Sequence, residues 1–316
     1  MTHDCLRAAA PVNETRCTVA PGVTSCTVFP GITLTFYDTF EQTAYVRADR
    51  VPDDGVVEIN HCRDGRAEFE FNNEFCYLTP GDVSVTGAGM SRGAFFPLRR
   101  YQGVTVAIDV ARAPECLSCV LDDVNVRPEN LRRKFCASGS GYVARSNARI
   151  AHIFSELYAV PDDIKKGYFK VKILELLLFF SALEPEPDAI ARRCIPRAQA
   201  NLAKGVCAYL TAHMEERVTL QTLTDVFHMS GTSIKNAFKA VYGVSIYAYG
   251  RAQKMQAAAL MLRSTDRSVL EVASRFGYDN GSKFAKAFRD CCGMSPNEFR
   301  QSSRNCPNGA DFAIPN

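Results

Sequence analysis

The chain has 316 residues, a formal net charge of +3 and 13 cysteines, but no tryptophan. At roughly 100 to 200 residues per domain, this length predicts two domains. The 47% hydrophobic and 22% charged fractions are ordinary for a folded protein, and they exclude disordered, collagen-like and coiled-coil chains. No apolar run approaches the roughly 18 to 20 residues of a membrane-spanning helix, so no membrane partner is expected.

The small net charge hides an uneven distribution along the chain. Residues 197–304 contain 15 Lys and Arg against 8 Asp and Glu, a net charge of +7, whereas residues 1–196 carry a net charge of -3. A basic segment of this kind is the usual electrostatic feature of a nucleic-acid-binding domain. Charge alone is a weak indication, because many basic surfaces are only solvated.

The cysteines are interpreted through the expected compartment. The N-terminus has early acidic residues and no apolar stretch, so no signal peptide is expected and the chain is predicted to be cytoplasmic, where thiols stay reduced. The close pairs are Cys116-x-x-Cys119 and Cys291-Cys292. A zinc site usually needs a second pair like the first. We therefore predict structural or incidental thiols with no metal and no other cofactor, and a redox or metal role for Cys116 and Cys119 is the alternative.

Alternation of apolar and polar side chains predicts strands over residues 31–146. The alternating runs are 32–36, 57–59, 68–71 and 83–85. The turn-forming residue pairs are Asp64-Gly65, Asn72-Asn73 and Pro80-Gly81. Short strands at this spacing predict a small antiparallel β-barrel or sandwich. Residues 1–30 show little periodicity and are predicted to form an irregular arm.

Helical periodicity replaces the strand pattern at residue 147. Residues 147–160 and 164–183 carry apolar side chains at helical spacing, and the second segment ends almost entirely apolar, around Leu177 and Leu178. A helix that is apolar on most sides is buried against more than one neighbour, so 147–183 is predicted to be a helical dimerisation segment. Packing of these helices on their own barrel alone is the alternative. Two prolines follow it, and residues 184–196 are predicted to be a linker.

Short helices with clear start and stop residues fill residues 197–304, and 305–316 form a predicted tail. Helix-capping residue types stand at Thr219, Ser245 and Ser268, a break is predicted at Met229-Ser230-Gly231, and the helix-ending type stands at Gly243 and Gly293. This order predicts two helix-turn-helix units joined by a helix of about 19 residues, which spans ~28 Å. Because successive major grooves of DNA lie ~34 Å apart, one chain could place both units in adjacent grooves.

The second helix of each unit is the one expected to enter the major groove, so its outward side chains are the candidates for DNA contact. These side chains lie off the apolar stripes formed by Ile234 and Phe238 in one helix and by Phe284 and Phe288 in the other. The predicted DNA-binding residues are Thr232, Ser233, Lys235, Asn236 and Lys239 in the first unit, and Asn280, Ser282, Lys283, Lys286 and Arg289 in the second. Contacts to phosphates and to bases are both expected, since half or more of protein–DNA hydrogen bonds go to the backbone.

Several motifs in this region match a known family. They are Gly243-x-Ser245, Ser268-Val269-x-Glu271-Val272-Ala273, Gly277-Tyr278-Asp279, Gly293-x-Ser295-Pro296 and Glu298-Phe299-Arg300. With these motifs, residues 197–302 resemble the DNA-binding domain of the AraC/XylS transcription regulators. The resemblance implies a sequence-specific regulator, not an enzyme, that binds promoter half-sites in double-stranded DNA as a homodimer. It also implies RNA polymerase as a further partner, with activation as the expected direction of control.

The sequence departs from the family pattern at several positions, including Gly281 and Ser282, which are small where some relatives carry long polar side chains. Thr224 stands where the family usually has alanine, and Lys254 stands where it usually has arginine. Asn236 occupies a position of the first recognition helix that is often arginine. Because asparagine suits adenine and arginine suits guanine, the usual base preference of that helix is not expected here.

For the N-terminal half, the resemblance implies binding of a small-molecule effector. Strands followed by helices is also the order in the cupin-like barrels of some family members, which this half resembles. The predicted fold class is therefore α+β. A small antiparallel, cupin-like β-barrel with helices is followed by an all-α domain with two helix-turn-helix motifs joined by a long helix. Small barrels can enclose one ligand. The candidate effector-binding residues are His61, Arg63, Phe69 and Phe96. A core or turn role for His61 is the alternative.

Other functions fit the same residues less well. A metal-dependent cupin enzyme is not expected, because only His3 and His61 supply imidazole ligands in this half. A cysteine-based DNA-alkylation repair protein would need clustered zinc-ligand cysteines or a Pro-Cys-His-Arg nucleophile, and Cys306 has no following His-Arg. A regulator that binds DNA constitutively, without an effector, is the remaining alternative.

Overall fold

The computed structural model describes residues 18–44, 55–87, 94–117, 126–136, 141–186 and 190–305. The chain divides into two compact units, 1–194 and 195–316. The N-terminal unit combines two antiparallel sheets with helices, and the C-terminal unit is built of helices, which confirms the predicted α+β fold class. Residues 1–17 of the predicted arm and 306–316 of the predicted tail lie outside the described residues. Within these ranges, no helix has the length and apolar character needed to cross a membrane.

The N-terminal unit contains a larger and a smaller sheet. Its strands are β1 (Thr18–Ala20), β2 (Val23–Phe29), β3 (Ile32–Thr39), β4 (Thr43–Ala44), β5 (Val56–Gly65), β6 (Ala67–Phe71), β7 (Glu74–Leu78), β8 (Asp82–Thr86), β9 (Ala94–Phe95), β10 (Tyr101–Asp109), β11 (Tyr142–Arg145) and β12 (Cys194–Ile195). The larger sheet has the strand order β1-β2-β3-β10-β5-β8-β11, and the smaller has β12-β7-β6-β9-β4. Each of the four predicted strands is present.

The prediction of an irregular arm over 1–30 is wrong for its last part. Strands β1 and β2 pair with each other, and β2 continues the sheet beside β3. Val23, Cys26 and Val28 of β2 are buried. The register of β2 against β3 shifts between Thr27 and Phe29, and this irregularity interrupts the period-two pattern by which strands are found in a sequence.

Three helices cover one face of the larger sheet. They are α1 (Pro128–Cys136), α2 (Ala148–Leu157) and α3 (Lys165–Ala182). The apolar residues of β3, β5, β8 and β10 on this face form one buried cluster with apolar residues of the three helices, such as Phe135, Phe154 and Phe180. Helices α2 and α3 confirm the two helical segments predicted within 147–183. Burying this many large side chains is the main stabilising contribution to the unit.

The opposite face of the larger sheet lies against the smaller sheet. A second buried cluster contains Tyr37 and Tyr101 from the larger sheet and Phe69 and Leu78 from the smaller. The two sheets therefore enclose a core between them, as the predicted barrel or sandwich requires. Asn72 and Asn73 connect β6 to β7 with positive φ angles of 48° and 63°, which confirms the predicted turn.

The end of the predicted linker is structured. A 3₁₀ turn spans Ala191–Arg193 and leads into β12, and a disulfide joins Cys194 of β12 to Cys76 of β7. The sequence predicted only thiols. It did not predict this disulfide because 118 residues separate the two cysteines along the chain. Residues 187–189 of the predicted linker, and Cys119, are not among the described residues.

The C-terminal unit contains seven helices within its described residues. They are α4 (Arg197–Ala212), α5 (Leu220–Phe227), α6 (Gly231–Tyr242), α7 (Ile246–Ser264), α8 (Val269–Arg275), α9 (Gly281–Cys292) and α10 (Pro296–Asn305). The predicted caps are confirmed: the side chains of Thr219, Ser245 and Ser268 each accept a backbone N–H at the start of a helix. Ser230, predicted as part of a break between helices, caps α6 in the same way. At α8 the bond is reciprocal, because Glu271 accepts the backbone N–H of Ser268 at 2.7 Å.

Helices α6 and α9 end in the same way. Gly243 and Gly293 follow them with φ angles of 77° and 75° and donate their N–H groups to Lys239 and Arg289. A side chain at these left-handed positions would be strained, so glycine fixes the end of each second helix of a helix-turn-helix pair. The pairs are α5 with α6 and α8 with α9, and α7 joins them, as predicted from the sequence.

Candidate nucleic-acid interface

Helix α6 separates a buried face from a polar face. Ile234, Phe238 and Val241 are buried in the C-terminal unit, whereas Lys235, Asn236 and Lys239 are exposed. Of the other predicted residues, Thr232 is exposed, and Ser233 is half-buried and shares a hydrogen bond of 2.9 Å with the cap residue Ser230. The polar face of α6 is therefore free to approach a ligand while its apolar face holds the helix in place.

Helix α9 has the same division. Phe284 and Phe288 are buried, and Ser282, Lys283, Lys286 and Arg289 are exposed. The side-chain oxygen of Asn280 caps the helix by accepting the N–H groups of Ser282 at 2.8 Å and Lys283 at 3.2 Å. Capping leaves only the amide nitrogen of Asn280 available for another partner.

The lysines of the two exposed faces keep their positive charges unneutralised. None of Lys235, Lys239, Lys283 and Lys286 forms an ion pair with another described residue of the chain. Basic side chains without acidic partners are suited to phosphates, which they bind with release of counterions. The arrangement therefore favours a polyanion on this side of both helices.

A cleft of about 710 Å³ lies beside α6 in the C-terminal unit. We call it the α6–α7 cleft. Lys235, Asn236 and Lys239 line one side, and Tyr247 and other residues of the first turns of α7 line another. None of the predicted residues of α9 lines it.

Most residues of the cleft were not predicted from the sequence, among them Arg217, Tyr247 and Arg251. Arg217 and Arg251 contribute to the net charge of the segment, and this charge was the only signal that could have pointed to them. Tyr247 is 78% exposed, although it is a large aromatic residue.

Lys254 connects distant parts of the C-terminal unit at the edge of this cleft. Its Nζ donates to the carbonyl oxygens of Glu216 at 2.9 Å and Phe276 at 3.3 Å. Glu216 lies between α4 and α5, and Phe276 follows α8. Burial lowers the pKa of Lys254, and the two carbonyl oxygens supply the hydrogen bonds that its ammonium group needs. This one side chain therefore links the loop before the first helix-turn-helix pair to the end of α8 in the second.

The four predicted effector-binding residues lie on opposite sides of the larger sheet. His61 is buried on the helix side, where its ring stacks on Phe154 at 4.4 Å, and burial lowers its pKa to about 4. Arg63 is exposed, with its guanidinium carbon 4.3 Å from the centre of the Tyr158 ring. Phe69 and Phe96 lie in the core between the sheets. The structure does not bring the four together, and their role in effector binding stays a prediction.

A polar group of residues lies between the two sheets instead. We call Thr35, Glu58, Asn60, Ser84, Thr86 and Thr105 the inner polar set, and all six are buried. Asn60 donates to Ser84 at 3.0 Å and accepts from Thr105 at 2.7 Å. The hydroxyl of Thr86 is buried without a hydrogen-bond partner, and so is that of Tyr101, which lies near the other end of β5. Buried polar atoms without partners are uncommon and mark a place where another polar molecule could bind.

Comparisons with known proteins agree with the geometry of the C-terminal unit. The sequence pattern of a family described as "Helix-turn-helix domain" matches residues 223–302. An uncharacterized HTH-type transcriptional regulator, YdiP of Escherichia coli, is 33% identical over 105 residues, which are 33% of this chain and 35% of that protein. The arabinose operon regulatory protein of Salmonella typhimurium is 22% identical over 162 residues, which are 51% of this chain and 57% of that protein.

A solved structure gives a similar match. A probable AraC family transcriptional regulator from Rhodopseudomonas palustris is 28% identical, covering 33% of this chain and 97% of that chain, with a TM-score of 0.31. The chain thus spans between about a third and just over half of the length of the two curated relatives. The matched family pattern lies within the C-terminal unit.

Proposed function

We propose, from the premise that the C-terminal unit is a helix-turn-helix domain of the AraC/XylS family, that this chain is a sequence-specific DNA-binding transcription regulator. The observation that carries the proposal is the pair of matching polar helix faces on α6 and α9. Each is presented by a capped helix that ends at a left-handed glycine, and together they carry four lysines without acidic partners in the described chain. Rigid helices with exposed polar faces are suited to the major groove.

The two helices are proposed to divide the work of recognition. Asn236 on α6 can make a bidentate contact with adenine, while the lysines of α9 are suited to phosphates. Phosphate contacts position the protein on the duplex, and base contacts supply sequence preference. Contact with RNA polymerase stays a prediction.

The test is binding of the full chain to a pool of random double-stranded DNA, followed by titration of the selected sequence. We expect Asn236→Ala to relax base preference at one position, at a cost of about 1 to 3 kcal/mol on the preferred base. Lys286→Ala should weaken binding to all sequences and reduce the slope of affinity against salt by about 1. Lys204→Ala, on α4, is the matched control and should change neither.

A result against the proposal would be equally clear. If the full chain selected no sequence from the pool at any salt concentration, the regulator function would be refuted. Equal effects of Lys286→Ala and Lys204→Ala would leave DNA binding intact but remove α9 from the interface.

We further propose that a polar small-molecule effector binds the N-terminal unit between its two sheets. The inner polar set supports this proposal, because a core that only stabilised the fold would be better served by apolar residues. Binding should raise the melting temperature of the full chain in a screen against a metabolite collection. A hit that is lost in Thr86→Val, but kept in the exposed-site control Thr43→Val, would support the site. A screen in which no compound stabilises the chain would favour the constitutive alternative.

A homodimer through α3 is the last part of the proposal. Ile164, Val171 and Leu178 are spaced seven residues apart and are 50%, 61% and 43% exposed. An exposed apolar stripe with this period is suited to pairing with a second helix. Leu177, by contrast, is buried against the N-terminal unit and is not a test of the surface.

Sedimentation of one substitution tests the dimer. Leu178→Glu should shift the full chain to a monomer without unfolding it. The control Leu260→Glu, at a residue of α7 that is 57% exposed, should have no effect. A wild-type monomer, or a Leu178→Glu dimer, would contradict the proposed surface.

A further inference from the structure

The α6–α7 cleft has an apolar floor beneath its polar rim. Leu223 and Phe276, both buried in the C-terminal unit, line it together with Leu210 and Ile246. Its volume of about 710 Å³ falls in the range of roughly 300 to 1,000 Å³ that is usual for small-molecule sites. The floor consists of side chains that a nucleic-acid backbone would not be expected to contact favourably.

The rim of the cleft is strongly basic. Five cationic side chains line it, namely Arg217, Lys235, Lys239, Arg251 and Lys254, and Glu216 is the acidic residue among them. Arg251 forms an ion pair with Asp290 at 3.8 Å, and Lys254 donates hydrogen bonds to two carbonyl oxygens. Arg217, Lys235 and Lys239 have no ion-pair partner among the residues described. Their charges are available to a ligand.

One wall of the cleft is formed by a face of α7 that has open space beside a glycine. Tyr247, Gly250, Arg251 and Lys254 lie on one face of α7 because they are three or four residues apart. A Cβ atom added to Gly250 would meet no other atom within 4 Å. The glycine therefore leaves room for a group that packs along α7.

We propose that the α6–α7 cleft binds a small organic anion: its charged group would lie among Arg217, Lys235 and Lys239, and its apolar body would lie on the floor formed by Leu223 and Phe276. Charge complementarity selects an anion, and the buried apolar floor selects an organic molecule over an inorganic ion. Because Lys235 and Lys239 are also proposed DNA contacts, the anion and DNA exclude each other. This last step rests on the proposed function.

The first experiment measures binding of 4-phenylbutyrate to the full chain by calorimetry, without DNA. The uncharged 4-phenylbutan-1-ol has the same apolar body and is the matched ligand control. We expect the carboxylate to bind at one site per chain, and the alcohol to bind at least about tenfold more weakly, as the loss of a charge-assisted hydrogen bond implies.

Two variants locate the site. Gly250→Leu should fill the cleft from α7 and abolish binding, while Gly167→Leu, at an equally open position of α3, should leave it unchanged. Arg217→Gln should weaken binding of 4-phenylbutyrate about tenfold without changing binding of the alcohol. Neither Gly250 nor Arg217 is a predicted DNA contact, and circular dichroism checks that each variant is folded.

A second measurement follows fluorescence anisotropy of a labelled DNA site. Added 4-phenylbutyrate should lower the affinity for DNA in the wild type and have no effect in Gly250→Leu. In Arg217→Gln, the same decrease should require about ten times more 4-phenylbutyrate. By linkage, saturating DNA should reduce the affinity for the anion by the same factor.

The outcomes separate this inference from the proposed function. Absence of calorimetric binding, equal binding of the alcohol, or binding that persists in both Gly250→Leu and Arg217→Gln would each overturn the anion site, whatever the chain does with DNA. Anion binding in a chain without DNA sequence preference would support the site and refute the proposed function.

Discussion

Replacing Lys254 tests whether a single side chain holds the two helix-turn-helix pairs in a fixed arrangement. Lys254→Met keeps the apolar stem of the lysine and removes both of its hydrogen bonds, to the carbonyl oxygens of Glu216 and Phe276. The matched control is Lys235→Met, the same change at an exposed lysine of α6. Lys254→Arg restores a cation at the position, and it carries the residue usual in the family that the sequence resembles.

The expected loss follows from the geometry of the two bonds. A hydrogen bond to a charged group contributes about 1.5 to 3 kcal/mol, and the 3.3 Å bond to Phe276 is the weaker of the two. Burial of the ammonium group opposes this stabilisation, as its lowered pKa indicates. The net loss of unfolding free energy in Lys254→Met should be about 2 to 3 kcal/mol. Lys235→Met should change it by less than about 0.5 kcal/mol.

Hydrogen exchange measures this loss in the C-terminal unit separately from the N-terminal unit. Peptides from α5 and α8 should exchange faster in Lys254→Met, whereas peptides from β10 in the other unit serve as an internal reference and should not change. Lys254→Arg should restore most of the protection. If α5 and α8 exchanged at the wild-type rate in Lys254→Met, the proposed bridging role of this lysine would be refuted.

Two further predictions concern the N-terminal unit. Burial lowers the pKa of His61 to about 4, below its value in the unfolded chain. Because the unfolded chain then binds more protons between pH 6.5 and 4, stability should fall by about 3 kcal/mol as the pH drops through this range. Urea unfolding of His61→Gln should lose this pH dependence, and an unchanged dependence would contradict the assignment. The Cys76–Cys194 disulfide closes a long loop, so Cys76→Ser should destabilise the unit by about 2 to 5 kcal/mol in urea, and equal stability of the two proteins under oxidising conditions would show that the bond does not constrain the chain.

Local signals made the C-terminal unit predictable. Thr219, Ser230 and Ser268 fix helix starts through hydrogen bonds to residues only three positions away. Their effect can therefore be recognised from neighbouring residues in the sequence. Gly243 and Gly293 fix helix ends in the same local way. Because both helix-turn-helix pairs depend on such short-range chemistry, their order and approximate bounds were available before the structure.

The N-terminal unit depended on contacts that the sequence does not show. The alternation around Glu58 and Asn60 predicted a strand, and a strand with one polar face is commonly solvated on that face. The smaller sheet covers that face instead, so both residues are buried. The placement of His61 beside Phe154 joins residues 93 positions apart, and the pairing of Cys76 with Cys194 is just as distant. Contacts of this range have no signal in local periodicity.

The central claim is that one chain reads DNA with two helices in adjacent major grooves. Ethylation interference by the full chain, on a DNA fragment that carries one half-site, tests it most directly, because an ethylated phosphate beside an occupied groove blocks binding. We expect two sets of phosphate positions about 10 base pairs apart on the same side of the duplex, and the set contacted by α9 should be weakened in Lys286→Ala. A single set of positions, or two sets on opposite sides of the duplex, would contradict it.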